Sequence, residues 1–201
     1  MTELTVLQAV RLKGRVSSSD LAATLGDDLT EVTKTVKQLT AAGLLVEGKT
    51  LRISPTGRTQ LNALLADERK DIDTTALAAS YHEFCPVNLD FKALATDWQI
   101  KNDSPNTHEN PEYDAAILAR LDAVHERMVP IIEVVAKQLP RLSTYLGKLH
   151  TALEKVKAGQ IAWFTKPLID SYHTVWFELH EELILAIGIT REEDSRSIDA
   201  Q

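Results

Sequence analysis

Cysteine is nearly missing from this chain of 201 residues: Cys85 stands alone, so no internal disulfide can form, and a reducing compartment such as the cytoplasm is expected. Aromatic residues make up only 5%, and β-branched runs are few, which argues against a sheet-dominated fold. No run approaches the roughly 18 apolar residues of a membrane span, and no basic stretch precedes an apolar one at the start, so neither membrane nor secretory leader is expected. H-E-x-x-H, phosphate loops and nucleophile–base pairs are all missing, so no enzyme and no cofactor are expected. Cys85, on an apolar stretch without cationic neighbours, reads as inert core.

Charge is unevenly distributed. The total is −7. Residues 1–66 carry 8 Lys+Arg against 6 Asp+Glu, net +2, and the remainder carries 14 against 23, net −9. The acidic excess lies wholly outside the first third, which predicts two parts with different partners.

The first third is best read from residues 16–53, VSSSDLAATLGDDLTEVTKTVKQLTAAGLLVEGKTLRI. A helix over residues 5–15, ended by Gly14, precedes it. Ser18, Ser19 and Asp20 offer N-cap oxygens to a short helix that Gly26 stops. Asp28 and Glu31 form a capping-box-like start for a longer helix ended by Gly43. On that helix Leu29, Val32, Val36 and Leu39 recur at spacings of three and four and predict one buried stripe. Thr30, Lys34, Lys37 and Gln38 fall opposite, with Thr33 at the edge. Residues 44–47 and 51–53 predict two short strands joined by Gly48, Lys49 and Thr50. Ser54 and Pro55 then open another helix.

Helix, turn, longer helix and hairpin in this order resemble the winged helix-turn-helix of MarR-type regulators, most clearly at residues 29–47, LTEVTKTVKQLTAAGLLVE. The resemblance spans residues 5–65 and implies a transcriptional regulator that binds double-stranded DNA. It implies base and backbone contacts by Ser18, Ser19, Thr30, Thr33, Lys34, Lys37 and Gln38, with Lys49 and Arg52 on phosphate. The chain departs from that family in its single lysine at the hairpin tip and in an expected recognition helix without arginine, the usual bidentate reader of guanine. A net +2 implies modest affinity per copy, so a homodimer is expected. The alternative is a winged helix that docks on a partner protein without any role on DNA, which the low charge favours.

Residues 67–75 read as a charged helical connector, residues 76–190 as an all-α bundle, and residues 191–201 as a polar tail. The bundle has a long helix from residue 76 bent near Pro86, a loop over residues 101–110, and a helix opened by Asn110 and Pro111 with a second bend at Pro130. Further helices follow from Pro140 to Gly159 and from about residue 167 to 187, with a short turn at residues 161–164 between them. The expected fold class is mainly α, an N-terminal winged helix-turn-helix of three helices plus a small β-hairpin followed by a helical bundle. The segments YHEFCPVN, TDWQ, NPEYDAAIL and DSYHTVWFELHEELI also resemble the helical domain of some MarR-type winged-helix proteins, which implies architecture and no chemistry.

All six histidines lie beyond residue 80. Mixed polar and apolar stripes place His82, Asp97 and Trp98 on one helix, Asp114 and His125 on the next, and Asp170, His173, Trp176 and His180 on the last. One expectation is a cavity closed by Trp98 and Trp176 that holds a small effector. The other is that these polar groups satisfy one another between helices. The layout also resembles GntR-type regulators, whose bodies hold a metal with Asp and His. Their spacing is different, so no metal is expected here.

Overall fold

A computed structural model describes residues 1–189 and Asp194. The expected tail at residues 191–201, like residue 190, lies outside the described residues except for Asp194. The chain is mainly helical and divides into two compact units, Met1–Ile72 and Asp73–Gln201.

The first unit contains α1 (Glu3–Lys13), α2 (Ser18–Leu25), α3 (Leu29–Ala41), β1 (Leu45–Glu47), β2 (Leu51–Ile53) and α4 (Pro55–Glu68). α1 begins two residues earlier than the sequence predicts, because Thr2 Oγ1 accepts the Thr5 N–H at 3.2 Å. Ser17, rather than Ser18 or Ser19, caps α2: its backbone is extended, and its Oγ accepts the Asp20 N–H at 3.1 Å and donates to the Asp20 carboxylate at 2.6 Å. Asp28 caps α3 as expected, accepting the Thr30 and Glu31 N–H groups at 2.9 and 3.3 Å. β1 and β2 pair antiparallel, Val46 opposite Arg52, and Val16 bridges to Leu51 on the other edge of β2.

α4 is docked tightly on the turn that follows α3. Ser54 N donates to Leu44 O at 3.0 Å, Ser54 Oγ donates to Gly43 O at 2.6 Å, and Gly57 N donates back to Ser54 Oγ at 2.9 Å. Val6, Leu7, Val10, Leu21, Val32, Val36, Leu39, Leu51 and Leu61 form the core of the unit. Leu29 is the exception in its predicted stripe. It is 48% exposed, because it sits in the first turn of α3, where no element covers it.

The expected helical connector is interrupted. α4 gives way to a 3-10 turn at Arg69–Asp71, Ile72 is extended, and Asp73 starts a new helix by accepting the Thr75 and Ala76 N–H groups at 3.0 and 3.1 Å.

The second unit packs α5 (Thr74–Gln99), α6 (Pro111–Gln138), α7 (Thr144–Lys157), α8 (Ala162–Thr165) and α9 (Tyr172–Ile187). α5 runs on through Pro86 and α6 through Pro130. The loop expected at residues 101–110 contains a second hairpin, β3 (Ile100–Lys101) with β4 (Ser104–Pro105). Asn102 and Asp103 make its turn at φ 52° and 60°, the left-handed pair that a two-residue hairpin demands. The last helix starts at Tyr172, five residues later than expected. Leu168 sits at φ 68° and cannot continue a helix, and Ser171 caps α9 through Thr174 N at 3.3 Å. Leu168 is therefore 95% exposed and Asp170 lies off the helix. Among the described residues no helix is long and apolar enough to cross a membrane.

Candidate nucleic-acid interface

α3 is fixed by its inward face and leaves its outward face free of the core. Val32, Val36 and Leu39 are buried, while Thr30, Lys34, Lys37 and Gln38 are exposed and Thr33 is half-buried. Together with Leu29, these five outward residues line one open hollow of about 600 Å³. Two lysine ammoniums, two hydroxyls and an amide are thus presented on a rigid cylinder, with the lysine stems and Leu29 supplying apolar surface between them. Lys34 is tethered only weakly, with Glu31 Oε2 at 3.9 Å between exposed partners. Thr30 is also engaged at its other end: hydrogen bonds from its side chain and N–H hold the Asp28 carboxyl below the usual range.

The remaining expected DNA contacts are placed unequally. Lys49 and Arg52 are exposed on the hairpin tip and on β2. Ser19 is exposed at the start of α2, its hydroxyl 2.9 Å from Ser17 Oγ, and Ser18 is half-buried. Met1–Ile72 holds 10 Lys+Arg against 9 Asp+Glu, net +1, so any attraction for an anion comes from the arrangement of these side chains rather than from bulk charge.

The nine residues expected to line an effector cavity fall into separate groups. Trp98 is buried against Phe164 and His108, ring centroids 4.8 and 4.4 Å away. His108 Nδ1 lies 3.0 Å from Asp114 Oδ2, and Asn106 Nδ2 donates to Asp114 Oδ1 at 3.2 Å and to Trp98 O at 3.1 Å. Asp97 is turned away to Arg120, 2.6 Å distant at the surface. His125 is buried on α6 with Nδ1 3.1 Å from the Tyr172 hydroxyl. Trp176 stacks on Phe91 at 4.3 Å and donates its indole N–H to Asn88 Oδ1 at 2.9 Å, so it fills the core rather than closing a space. His180 Nε2 is 3.3 Å from the Tyr81 hydroxyl and 3.3 Å from Asp194 Oδ2, and Tyr81 also bonds Asp194. His82 is exposed on α5, and His173 is exposed with its ring 5.9 Å from Phe91. Among the described residues no three His, Cys, Asp or Glu side chains stand together as a metal site. Cys85 is buried, and burial pushes its thiol up.

The acidic side of α9 is not distinguished by its sequence. Glu178 and Glu182 are buried, and Glu182 Oε2 meets Arg141 Nη1 at 2.6 Å. Their i, i+4 spacing was visible, but they flank Leu179 and Leu183 and look like the solvated border of the apolar stripe. Nothing local pairs Glu182 with an arginine some 40 residues earlier.

Histidine burial gives a stability signature. Burial, reinforced by nearby His150, lowers the His125 pKa, so the folded state binds that proton more weakly than the unfolded chain does. The stability this supplies is complete above the ordinary histidine pKa of about 6.5 and is lost as pH falls from there through the lower folded value. Urea melts at pH 7 and pH 5 are expected to show a fall that His125→Gln reduces. Equal falls in both proteins would remove His125 as the cause.

No family model, curated protein or solved structure matches this chain.

Proposed function

We propose that this chain is a transcriptional regulator of the winged helix-turn-helix type that binds double-stranded DNA through α3. The observation that carries the reading is the outward face of that helix: Thr30, Thr33, Lys34, Lys37 and Gln38 line one open hollow, on a helix whose opposite side is locked by Val32, Val36 and Leu39. The width of an α-helix matches the B-DNA major groove, where short hydroxyls and amides read base edges and lysines hold phosphate. The turn at Gly26–Asp28 sets α3 after α2, and the β1–β2 hairpin carries Lys49 and Arg52 as flanking cations. A net +1 in the first unit makes one copy a weak binder, so two copies on one duplex are part of the proposal. Pairing of copies, and any response to a small effector, are ascribed to the helical bundle.

Incubating the full chain with a random duplex pool and recovering retained fragments tests the reading directly. Retention of a related set is expected, and Lys34→Ala/Lys37→Ala is expected to weaken binding to every recovered sequence by about tenfold or more. Loss on some sequences only would move the lysines from phosphate to base contacts.

The half-exposed Leu29 and Val46 favour a second reading, a module that docks on a protein partner. That reading expects no retained duplex, and Leu29→Asp abolishing capture of one defined partner.

A further inference from the structure

We infer that α3 recognises the C5-methyl groups of thymine, so the duplexes it selects place T·A pairs against Leu29, Thr30 and Thr33; this rests on the DNA-binding reading above. Leu29 belongs to the apolar stripe by spacing, yet it is 48% exposed and lines the same hollow as the two threonines. All three sit in the first turn and a half of α3, the part of a recognition helix that reaches base edges, while Lys37 and Gln38 lie further along.

The threonine chemistry points the same way. Thr30 gives its N–H to the Asp28 cap, which pins its backbone in the first turn, and its exposed side chain carries a methyl alongside that of Thr33. Two methyl-bearing side chains and a leucine therefore form a small apolar strip, flanked by Lys34 and Lys37. Apolar contact with the thymine methyl is the base-edge interaction that such a strip can make. α3 contains no arginine or asparagine, so contacts to guanine through arginine and to adenine through asparagine are not offered; Lys34 and Lys37 are assigned to phosphate, and Gln38 supplies the one amide on this face. The flanking cations fit a polyanion and account for choosing DNA over an apolar protein surface as the occupant.

The test uses the full chain and the best duplex recovered from a random pool, resynthesised with deoxyuridine at each thymine in turn. Uracil keeps the pairing and the O4 acceptor and lacks only the methyl. Affinity measured by fluorescence anisotropy is expected to fall about fourfold for each contacted thymine, the value of one buried methyl-sized group. Leu29→Ala is expected to bind the thymine duplex more weakly and to lose part of that discrimination, with an unchanged thermal melt because Leu29 is outside the core. Binding that ignores uracil at every position overturns the thymine inference and leaves the DNA reading standing. Discrimination unchanged in Leu29→Ala overturns the part assigned to that residue. Failure to retain any duplex overturns both.

Discussion

Alanine in place of Gly57 is expected to destabilise the N-terminal unit by about 3 kcal/mol, in the upper range for overpacking a tight contact. A Cβ at that position would stand 2.0 Å from Leu44 O and 2.9 Å from Ile53 Cγ1. The first of these is backbone, held in place by the Ser54 N–H at 3.0 Å, so it cannot swing aside as a side chain would. Relief requires α4 to lift from the turn after α3, breaking the Ser54 hydrogen bonds to Gly43 and Leu44. The sign is informative, because an interior helical Gly→Ala change ordinarily stabilises by up to about 1 kcal/mol. Gly147 in α7 supplies the control: nothing lies within 4 Å of its would-be Cβ, so Gly147→Ala is expected to be neutral or stabilising. The thermal midpoint should fall in Gly57→Ala and should not fall in Gly147→Ala. A neutral Gly57→Ala would mean that α4 is not seated on Leu44 as described.

Glu182→Ala is expected to cost about 3 kcal/mol or more in the helical bundle. Its carboxylate, with 4% of the side chain exposed, faces an Arg141 guanidinium of which only 14% is exposed. Removing the carboxylate takes the partner at 2.6 Å from a largely desolvated guanidinium, and weaker pairing of that cation contributes to the loss beyond the net worth of the pair. Replacing both residues with methionine is therefore expected to recover most of the stability, since neither charge remains to be solvated. A double variant as unstable as the single one would show that Arg141 is held chiefly by other groups. Urea midpoints, with m-values to verify an unchanged transition, measure the cycle.

These two sites also mark where sequence reading reached its limit. Local rules carried far: the Asp28 cap, the Gly26 and Gly188 left-handed stops, and the Asn110–Pro111 helix start are set by residues within one turn, and each is where the spacing placed it. Errors occurred where a non-local or conformational fact decided. Leu168 falls inside the last helix as its expected span from about residue 167 has it, but its left-handed backbone ends any helix there and moves Asp170 off α9. Asn102–Asp103 turned an expected loop into a hairpin, a signal that was present in the residue pair and passed over.

The candidate sites divide in the same way. The outward residues of α3 were legible because amphipathic period separates them from Val32, Val36 and Leu39 within one helix. The buried polar residues of the bundle were not, because partners on other elements satisfy them: Asn88 for Trp176, Tyr172 for His125, Tyr81 for His180. Periodicity shows that such residues face inward and is silent on which of them meet.

In the proposed complex Lys34, Lys37, Lys49 and Arg52 hold phosphate while α3 lies in a duplex groove. Its most direct measurement is the affinity for the selected duplex as a function of salt. If each of the four cations displaces one counterion, log affinity per copy falls with log salt at a slope of about −3.6, or roughly 150-fold between 50 and 200 mM. Lys34→Ala/Lys37→Ala should flatten that slope by about 1.8. A steep slope that the double variant halves is the predicted result; a flat dependence in the unaltered protein would contradict the account.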